Sequence, residues 1–472
     1  MAEVKDSTGA PAGPPTPPED QVYALAPADE QAVVAALLAN DDRAVREIVQ
    51  GLHYADFADL LERLSPEDRG RVVDLVRDDF PAGVLSELDE TVRDDVIEHL
   101  GVDDLAAALV ELDSDDALEV VEEMPAAEQQ QVLEAIPAGE RTLIEEGLTY
   151  PEESAGRLMQ REVMTVPSHW SVGETIDFMR ASADGESSTL PEQFYDIFVI
   201  DPARRPLGAV PLSRLLRTRR PVAITDIMDT DMKVLPVTTD QEEVAFVFRQ
   251  RDLVSAPVVD DAGRLVGAIT VDDVVDVIHE ENEEDILLLG GVKEDDLYDA
   301  TLDTTRARFA WLLVNLGTAV LASLVIGLFD ATIQQMVALA ILMPIVASMG
   351  GNAGTQTLTV TVRALAMKEL TPTNAARVIG KEVLVGSLNG ALFAVIIGVV
   401  TWFWFGDPLL GGVIGMAMVA NLVVAGLAGS MIPLMLDRMG VDPAVASAVF
   451  LTTVTDVVGF FVFLGLAALV LL

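Results

Sequence analysis

An acidic residue lies within a long apolar run near the carboxyl end of the chain. This residue is Asp456, and none of the apolar runs of the chain contains a Lys or Arg that could pair with it. A carboxylate at the centre of a bilayer costs about 3 kcal/mol, so such residues normally face a cavity or a partner. Thr452 precedes it by one helical turn and shares its face. These residues predict a cation site, and the alternative is a neutral carboxyl hydrogen-bonded to Thr452 or another helix.

A second candidate site lies in an earlier apolar run that contains Pro344, three glycines and two amides. Proline removes a backbone donor, and glycines such as Gly350 and Gly351 permit a broken helix whose carbonyls turn toward water. Asn352 and Gln356, four residues apart, would add neutral oxygens on one face. The sequence predicts a broken helix that lines an ion path, and the alternative is close helix packing at the glycines.

Both candidates lie in runs long enough to cross a membrane, which needs about 20 apolar residues. The chain contains five such runs, which predict five spans. They are Phe309–Phe329, the uncharged stretch between Asp330 and Arg363, Val383–Phe405, Leu409–Leu436 and Val445–Leu472.

The loops between the spans predict their orientation, because cytoplasmic loops carry an excess of Lys and Arg. The loops after the first and third spans have no basic residue, whereas the other loops and the segment before the first span do. The amino-terminal part is therefore predicted to be cytoplasmic and the carboxyl terminus external. The basic residues are Arg306, Arg308, Arg363, Lys368, Arg377, Lys381 and Arg438.

The charge of the chain is concentrated before these spans. Seven acidic and seven basic residues follow Thr305, so the whole net charge of −46 belongs to the first 305 residues. This field disfavours DNA and RNA as partners, because a nucleic-acid binder needs clustered basic residues. Cysteine is absent and there are four histidines, which excludes disulfides and Cys-ligated metals and disfavours His-ligated ones. Cations are the predicted partners.

The first 155 residues contain a short leader and a helical repeat. Residues 1–20 are rich in Pro and Gly and are predicted to be a disordered leader. In residues 21–155 an apolar residue recurs every twelve positions, which predicts short helices stacked in an α-solenoid. The repeated positions are Leu52, Leu64, Val76, Leu88, Leu100, Leu112, Met124, Ile136 and Leu148.

Residues 156–278 change to short β-branched runs that alternate with helical patterns. Two copies of one pattern end in Leu207-Gly208-Ala209-Val210 and in Val266-Gly267-Ala268-Ile269. This region resembles a tandem pair of α/β CBS domains. The ribose-binding pattern of that family is met in the second copy by Thr270 and Asp273. The first copy has Arg214 at the matching position, so adenine-nucleotide binding stays an open question.

Taken together, these features resemble the MgtE family of magnesium channels. The resemblance covers nearly everything after the leader. It is sharpest from Gly350 to Ala366, which begins with the sequence GGNAGTQ, and from Val441 to Asp456, which begins with VDPA. The fold expected from it is a multidomain membrane protein with an α-solenoid, an α/β CBS pair, an acidic connector at residues 279–305 and a five-helix transmembrane domain at residues 306–472.

The resemblance also implies a mechanism. It implies a homodimer with the pore between the two membrane domains and Asp456 of each chain at the ion site. The connector would be a plug that closes the pore when cytosolic Mg²⁺ bridges acidic faces. The acidic positions that match are Asp240, Glu242, Asp252, Asp273, Asp276, Glu281, Glu284 and Asp285, with Asp115, Asp116 and Glu119 as candidates in the solenoid.

The sequence therefore predicts a passive, self-regulated Mg²⁺ channel of the cytoplasmic membrane, with Mg²⁺ and membrane lipid as its partners. One alternative is a secondary carrier for Co²⁺ or Ca²⁺ that uses Asp456 as a relay. Another is a membrane-anchored CBS sensor, although an anchor has no use for Asp456. An enzyme is not predicted, because the sequence has no Walker loop, nucleophile elbow or metal-hydrolase motif.

Overall fold

The computed structural model describes residues 25–183, 191, 193–292 and 301–472, apart from the side chains at 183, 303, 446 and 447. The leader predicted at residues 1–20 and residues 293–300 of the connector lie outside the described residues. The chain forms two compact units, one up to Val275 and the other from Asp276 to Leu472, and each is described by itself.

The first unit begins with eleven short helices in its described part. Most of the apolar residues at twelve-residue spacing are buried at or near helix ends; Leu64, Leu88 and Ile136, for example, are the C-cap residues of their helices. The helices are α1 Pro27–Ala39, α2 Asp42–Val49, α3 Tyr54–Arg63, α4 Pro66–Val76, α5 Val84–Glu87, α6 Glu90–Leu100, α7 Val102–Glu111, α8 Ser114–Glu122, α9 Ala126–Ala135, α10 Ala138–Gly147 and α11 Ala155–Leu158.

A second feature recurs in the same repeat and explains how successive helices are joined. Arg69 Nε donates to the carbonyl of Leu61 at 2.9 Å, and Gln129 Nε2 donates to the carbonyl of Val121 at 2.9 Å. Arg141 makes the corresponding contact eight residues back, to Leu133. These side chains satisfy carbonyls near the carboxyl end of the preceding helix, which has no intrahelical donors for them. The predicted helical repeat is confirmed.

Two three-stranded sheets follow, with the same topology in each. The first strand pairs in parallel with the second, and the second pairs antiparallel with the third. The two copies predicted from the sequence are therefore present. Their elements are β1 Thr165–Pro167, α12 Val172–Ala183, β2 Asp196–Ile200, β3 Pro206–Pro211 and α13 Leu212–Arg217, then β4 Leu235–Pro236, α14 Gln241–Arg251, β5 Ser255–Val259 and β6 Leu265–Thr270.

The helix α15, Val271–Gly290, starts directly after β6 and continues into the connector. Six helices follow in the described residues, of which five are long and apolar enough to cross a membrane. The predicted number of spans agrees with this. The six are α16 Thr301–Gly327, α17 Asp330–Gln335, α18 Ala338–Ala366, α19 Ala375–Phe405, α20 Pro408–Arg438 and α21 Pro443–Val470.

Three of these helices, α18, α20 and α21, share one apolar core. It contains Leu342 and Val346 of α18, Ile414 of α20, and Phe463 and Leu464 of α21, all fully buried. By contrast, α16 leaves most of its large apolar side chains exposed. The core therefore fixes the helices that carry Asn352, Gln356 and Asp456, whereas α16 offers its apolar surface to lipid or to another chain.

The prediction of a broken helix in the second span is wrong. The helix α18 runs without interruption for 29 residues through Pro344 and all three glycines. Within lipid an unpaired backbone group costs several kcal/mol, so the continuous helix is favoured wherever neighbouring helices allow it. The glycines serve helix packing, which was the alternative, because Gly350 and Gly354 are buried against α20 and α21.

Candidate ion pathway and acidic interface

Asp456 lies on α21, half-buried within the single chain. Among the described residues no basic group forms an ion pair with its carboxylate. Thr452 is exposed, and its hydroxyl donates to the carbonyl of Ala448 at 3.0 Å. The hydroxyl oxygen keeps lone pairs that can still accept a hydrogen bond. An acidic and a hydroxyl oxygen thus lie one turn apart on a membrane helix.

The helix α18 carries a row of exposed polar side chains, which we call the polar stripe: Ser348, Asn352, Thr355, Gln356 and Thr359. Their spacing of three and four residues places them on one face. The hydroxyls of Thr355 and Thr359 donate to backbone carbonyls of their own helix, both at 3.0 Å. The amides of Asn352 and Gln356 keep donors and acceptors that lipid cannot satisfy, so the stripe needs water, an ion or another chain.

Only the two amides of this stripe were predicted from the sequence, and its three hydroxyls were not. The signal that could have found them is their alignment with Asn352 at helical spacing. The two glycines selected as ligands are placed differently. Gly350 faces the bundle core, whereas Gly351 is half-buried, and a Cβ added to it would meet nothing within 4 Å. The structure therefore brings Gly351, and not Gly350, to the accessible side of α18.

A buried amide, Asn421 of α20, was also missed. It is fully buried, and its Nδ2 donates to the carbonyl of Val346 at 2.8 Å. The available signal was an amide within the apolar run from Leu409 to Leu436, where polar residues are rare and functional.

In the first unit, acidic residues of the helical repeat approach the second CBS copy. Asp115 and Asp116 begin α8, and Asp273 lies in the first turn of α15. Burial raises the pKa of Asp115 well above its usual range, and the negative charge of Asp273 raises it further. Burial, Glu119 and then Asp273 raise the pKa of Asp116 to about 7. Such shifts arise when carboxylates are buried and lie close to other carboxylates.

Polar contacts hold α8 in this place. Ser114 Oγ donates to Glu162 Oε2 at 2.7 Å and accepts from the backbone N–H of Arg161 at 2.8 Å. Both partners precede β1, so the start of α8 is tied to the CBS region. Asp115 and Asp116 therefore lie close to Asp273 within the first unit.

Other predicted acidic residues have structural partners. Glu119 accepts from Arg93 at 3.1 Å, so part of its charge is neutralised. Asp240 caps α14 by accepting from the backbone N–H of Glu242 at 3.0 Å, and Asp252 ends the same helix in the left-handed region. These contacts explain Asp240 and Asp252 as helix termini without a metal.

The residues proposed for nucleotide binding form a capping contact. Thr270 donates to Asp273 Oδ2 from its hydroxyl at 2.8 Å and from its backbone N–H at 3.1 Å. Asp273 thus stabilises the first turn of α15 and also lies close to Asp115 and Asp116. In the first copy, Arg214 donates to the carbonyl of Ile227 at 2.9 Å, so this arginine is held by the backbone.

In the second unit, the connector part of α15 packs against the membrane helices. Leu288 is buried beside Leu358 of α18, Ala428 of α20 and Leu451 of α21. Burial, followed by the negative charge of Asp442, raises the pKa of Asp285. Asp276, Glu281 and Glu284 lie on the same helix. The approach of Asp285 to Asp442 is a second place where carboxylates gather.

Glu382 is a further acid, and it directly precedes the predicted third span, Val383–Phe405. The helix α19 includes it, its side chain is 12% exposed, and Thr357 of α18 donates to its Oε2 at 3.2 Å. Within the described residues, no three acidic or histidine side chains are close enough together to hold a metal ion. The carboxylates therefore meet in pairs and loose clusters, and do not form a preformed cage.

Three protein-family models match the chain. The model described as MgtE, a divalent cation transporter, matches residues 343–466, which include the polar stripe and Asp456. The model of the MgtE intracellular N domain matches residues 52–153, and the CBS domain model matches residues 224–280. The matches follow the order of the helical repeat, the second sheet and the membrane helices.

Curated relatives cover most of the chain. The magnesium transporter MgtE of Thermus thermophilus is 34% identical over 92% of this chain and 97% of its own length. The magnesium transporter MgtE of Bacillus subtilis is 29% identical over 90% of this chain and 93% of its own length. A solved structure, the cytosolic domain of the Mg²⁺ channel MgtE in complex with ATP, is 32% identical; it covers 52% of this chain and 99% of that chain, with a TM-score of 0.48.

Proposed function

This chain belongs to the MgtE family of magnesium transporters, and from that premise we propose that it is a passive, gated channel that brings Mg²⁺ across the cytoplasmic membrane into the cell. It is a multi-pass membrane protein and a transporter, not an enzyme. Mg²⁺ is the transported ion in this proposal, and the passive mechanism and the gating are our inference.

The observation that carries the proposal is the polar stripe on α18. Amides and hydroxyls exposed along a membrane helix are costly in lipid, and they are typical of a water-filled path. The adjacent α21 contributes Asp456, which has no basic partner among the described residues. Mg²⁺ releases its waters reluctantly, so a path with one or two carboxylates and neutral oxygens suits a partly hydrated ion.

A second copy of the chain would complete this path. A single chain leaves the stripe and Thr452 exposed and Asp456 half-buried. A two-fold axis beside α18 and α21 would pair both stripes and both copies of Asp456 around one channel. We therefore propose a homodimer with the pore between the membrane domains.

The proposed orientation follows the basic residues of the loops. Arg363, Lys368, Arg377 and Lys381 flank the connection between α18 and α19, and Arg438 ends α20. Because basic residues favour the cytoplasmic side, these connections and the acidic first unit would be cytoplasmic. The carboxyl end of α21 would then be external.

For gating, we propose that cytosolic Mg²⁺ neutralises the crowded carboxylates. Asp115, Asp116 and Asp273 form one such place, and Asp285 with Asp442 forms another. A divalent ion between them would replace repulsion by attraction, and it would favour the arrangement in which α15 packs against the membrane helices. Few-carboxylate sites of this kind bind with affinities on the order of millimolar.

The proposal is tested by Mg²⁺ uptake into proteoliposomes that contain the full-length chain. Uptake should follow the Mg²⁺ gradient without added nucleotide, and it should fall when Mg²⁺ is raised on the side of the first unit. A chain that only anchors a sensor would give no uptake above that of protein-free vesicles, and this result would exclude transport.

A further inference from the structure

The buried Asn421 is costly to the membrane domain. Its Nδ2 donates to the carbonyl of Val346, but its Oδ1 is buried without a hydrogen-bond partner in the described structure. A buried acceptor without a donor loses its hydration without compensation, and an apolar side chain of similar shape would avoid that cost. Stability alone therefore does not explain an amide here.

The amide occupies a slot between two glycines of different helices. A Cβ added at Gly350 of α18 would lie 2.2 Å from Asn421 Nδ2, and one added at Gly459 of α21 would lie 2.8 Å from the same atom. Both separations are shorter than real Cβ contacts allow. Because the two glycines have no side chain, the amide fits between them, and it separates α18 from α21 at this point.

The slot lies at the level of the proposed ion pathway. Gly350 precedes Asn352 by two residues, and Gly459 follows Asp456 by three. At about 1.5 Å of rise per residue, both polar side chains lie within one helical turn of the slot. The hydrogen bond to Val346 holds the amide to α18, while its width sets the spacing to α21.

We propose that Asn421 is a positioning residue for Mg²⁺ permeation, which fixes the polar stripe relative to Asp456. This inference rests on the proposed channel function. Mg²⁺ demands near-ideal octahedral geometry, and the supporting groups of such a site must be held within about 0.5 Å. A residue that sets the spacing of two helices at that level therefore controls how well the path accepts the ion.

The test is a double-mutant cycle on Mg²⁺ uptake by the full-length chain in proteoliposomes. The variants are Gly350→Ala, Asn421→Ala and the two combined. Each single change should lower uptake per folded protein about tenfold, because it alters the spacing of α18 and α21 at the slot. An effect of this size is typical for residues in contact. The combined variant should recover most of the loss, because the alanine at 350 fills space that the amide has left.

The matched control is Gly380→Ala, since a Cβ added there meets nothing within 4 Å. It should transport like the unaltered chain. The melting temperature in detergent identifies variants that are merely unfolded, and the apparent KM for Mg²⁺ should change with the slot variants alone. A residue with only a structural role would shift the melting temperature and leave KM and uptake per folded protein unchanged.

Two further results separate the possible failures. If the unaltered chain transports Mg²⁺ and the losses of the two single variants simply multiply in the combined one, Asn421 is not a positioning residue and only this inference fails. If the unaltered chain gives no uptake, the channel function fails, and with it the role of Asn421 in permeation.

Discussion

At the scale of single residues, the proposed function depends on buried and half-buried carboxylates. Asp456 is half-buried on a membrane helix, and Asp115 and Asp116 crowd against Asp273. In water such carboxylates repel weakly, but in a low-dielectric setting they must take up a proton or bind a cation. The same physical rule therefore underlies the proposed permeation and the proposed gating.

Replacing Asp456 by asparagine should abolish Mg²⁺ uptake while the fold survives. Asparagine keeps the shape and the hydrogen-bonding capacity but removes the charge that would hold a divalent ion. Asp407→Asn is the matched control, because Asp407 caps α20 at 2.8 Å from the backbone N–H of Leu409 and asparagine caps equally well. Uptake into proteoliposomes is measured for both variants. Uptake by Asp456→Asn at the level of the control would show that Asp456 is only a packing residue.

The raised pKa of Asp116, about 7, predicts a pH dependence of the first unit. Because the folded pKa lies above the usual value of 3.8, the folded form binds the extra proton between these values. The contribution of protonated Asp116 to the stability of the folded unit is complete below about pH 4, and it is lost as the pH rises through 7. Without Mg²⁺, the first unit should therefore resist protease better at pH 6 than at pH 8.

Limited proteolysis at both pH values, normalised to a denatured substrate, measures this effect. Asp116→Asn should reduce the difference, whereas the exposed Asp103→Asn should retain it. Mg²⁺ at pH 8 should restore protection to the unaltered chain. Equal protection at both pH values in the metal-free, unaltered chain would contradict the assignment.

At the scale of elements, periodicity predicted more than side-chain chemistry did. The apolar residues at twelve-residue spacing predicted the helical repeat. The apolar runs predicted the five spans to within a few residues at most ends. The predicted break at Pro344 and the glycines was wrong. A glycine is also required where another helix packs closely against the backbone, and that helix can be distant in sequence. Asn421 lies 71 residues beyond Gly350, so no local pattern joins them.

The contact of α15 with the membrane helices makes a prediction about gating. Leu288 is 5% exposed among side chains of α18, α20 and α21. Replacing such a leucine with a smaller residue costs about 2–5 kcal/mol. Leu288→Ser should therefore release the connector and leave uptake high when Mg²⁺ is raised on the cytoplasmic side.

Ile286→Ser is the control for this experiment, since Ile286 is 69% exposed two residues away on the same helix. It should keep the normal inhibition by Mg²⁺. Dose–response curves of uptake against cytoplasmic Mg²⁺ give the comparison. Normal inhibition of Leu288→Ser would mean that the packing of α15 does not close the pore.

At the scale of the whole molecule, charge divides the chain. The first 305 residues carry the net charge of −46, and the membrane part carries equal numbers of acidic and basic residues. Such an imbalance destabilises a compact state through self-repulsion unless counter-ions are bound. Cytosolic Mg²⁺ is a suitable counter-ion, which links the composition of the chain to its proposed regulation.

The proposed topology can be tested with introduced cysteines, because the chain has none of its own. A cysteine at Asp407, between α19 and α20, should react with a membrane-impermeant maleimide added outside intact cells. A cysteine at Lys368, between α18 and α19, should react only after the membrane is opened. The opposite pattern would reverse the orientation and place the acidic unit outside.

Current recording across a planar bilayer, with Mg²⁺ as the permeant cation, distinguishes a gated channel from a carrier. We expect unitary current steps that disappear when Mg²⁺ is raised on the cytoplasmic side and that are absent in Asp456→Asn. Mg²⁺ uptake without unitary steps would identify a carrier, and steps unaffected by Asp456→Asn would place the ion path elsewhere. Either result would contradict a gated channel that conducts past Asp456.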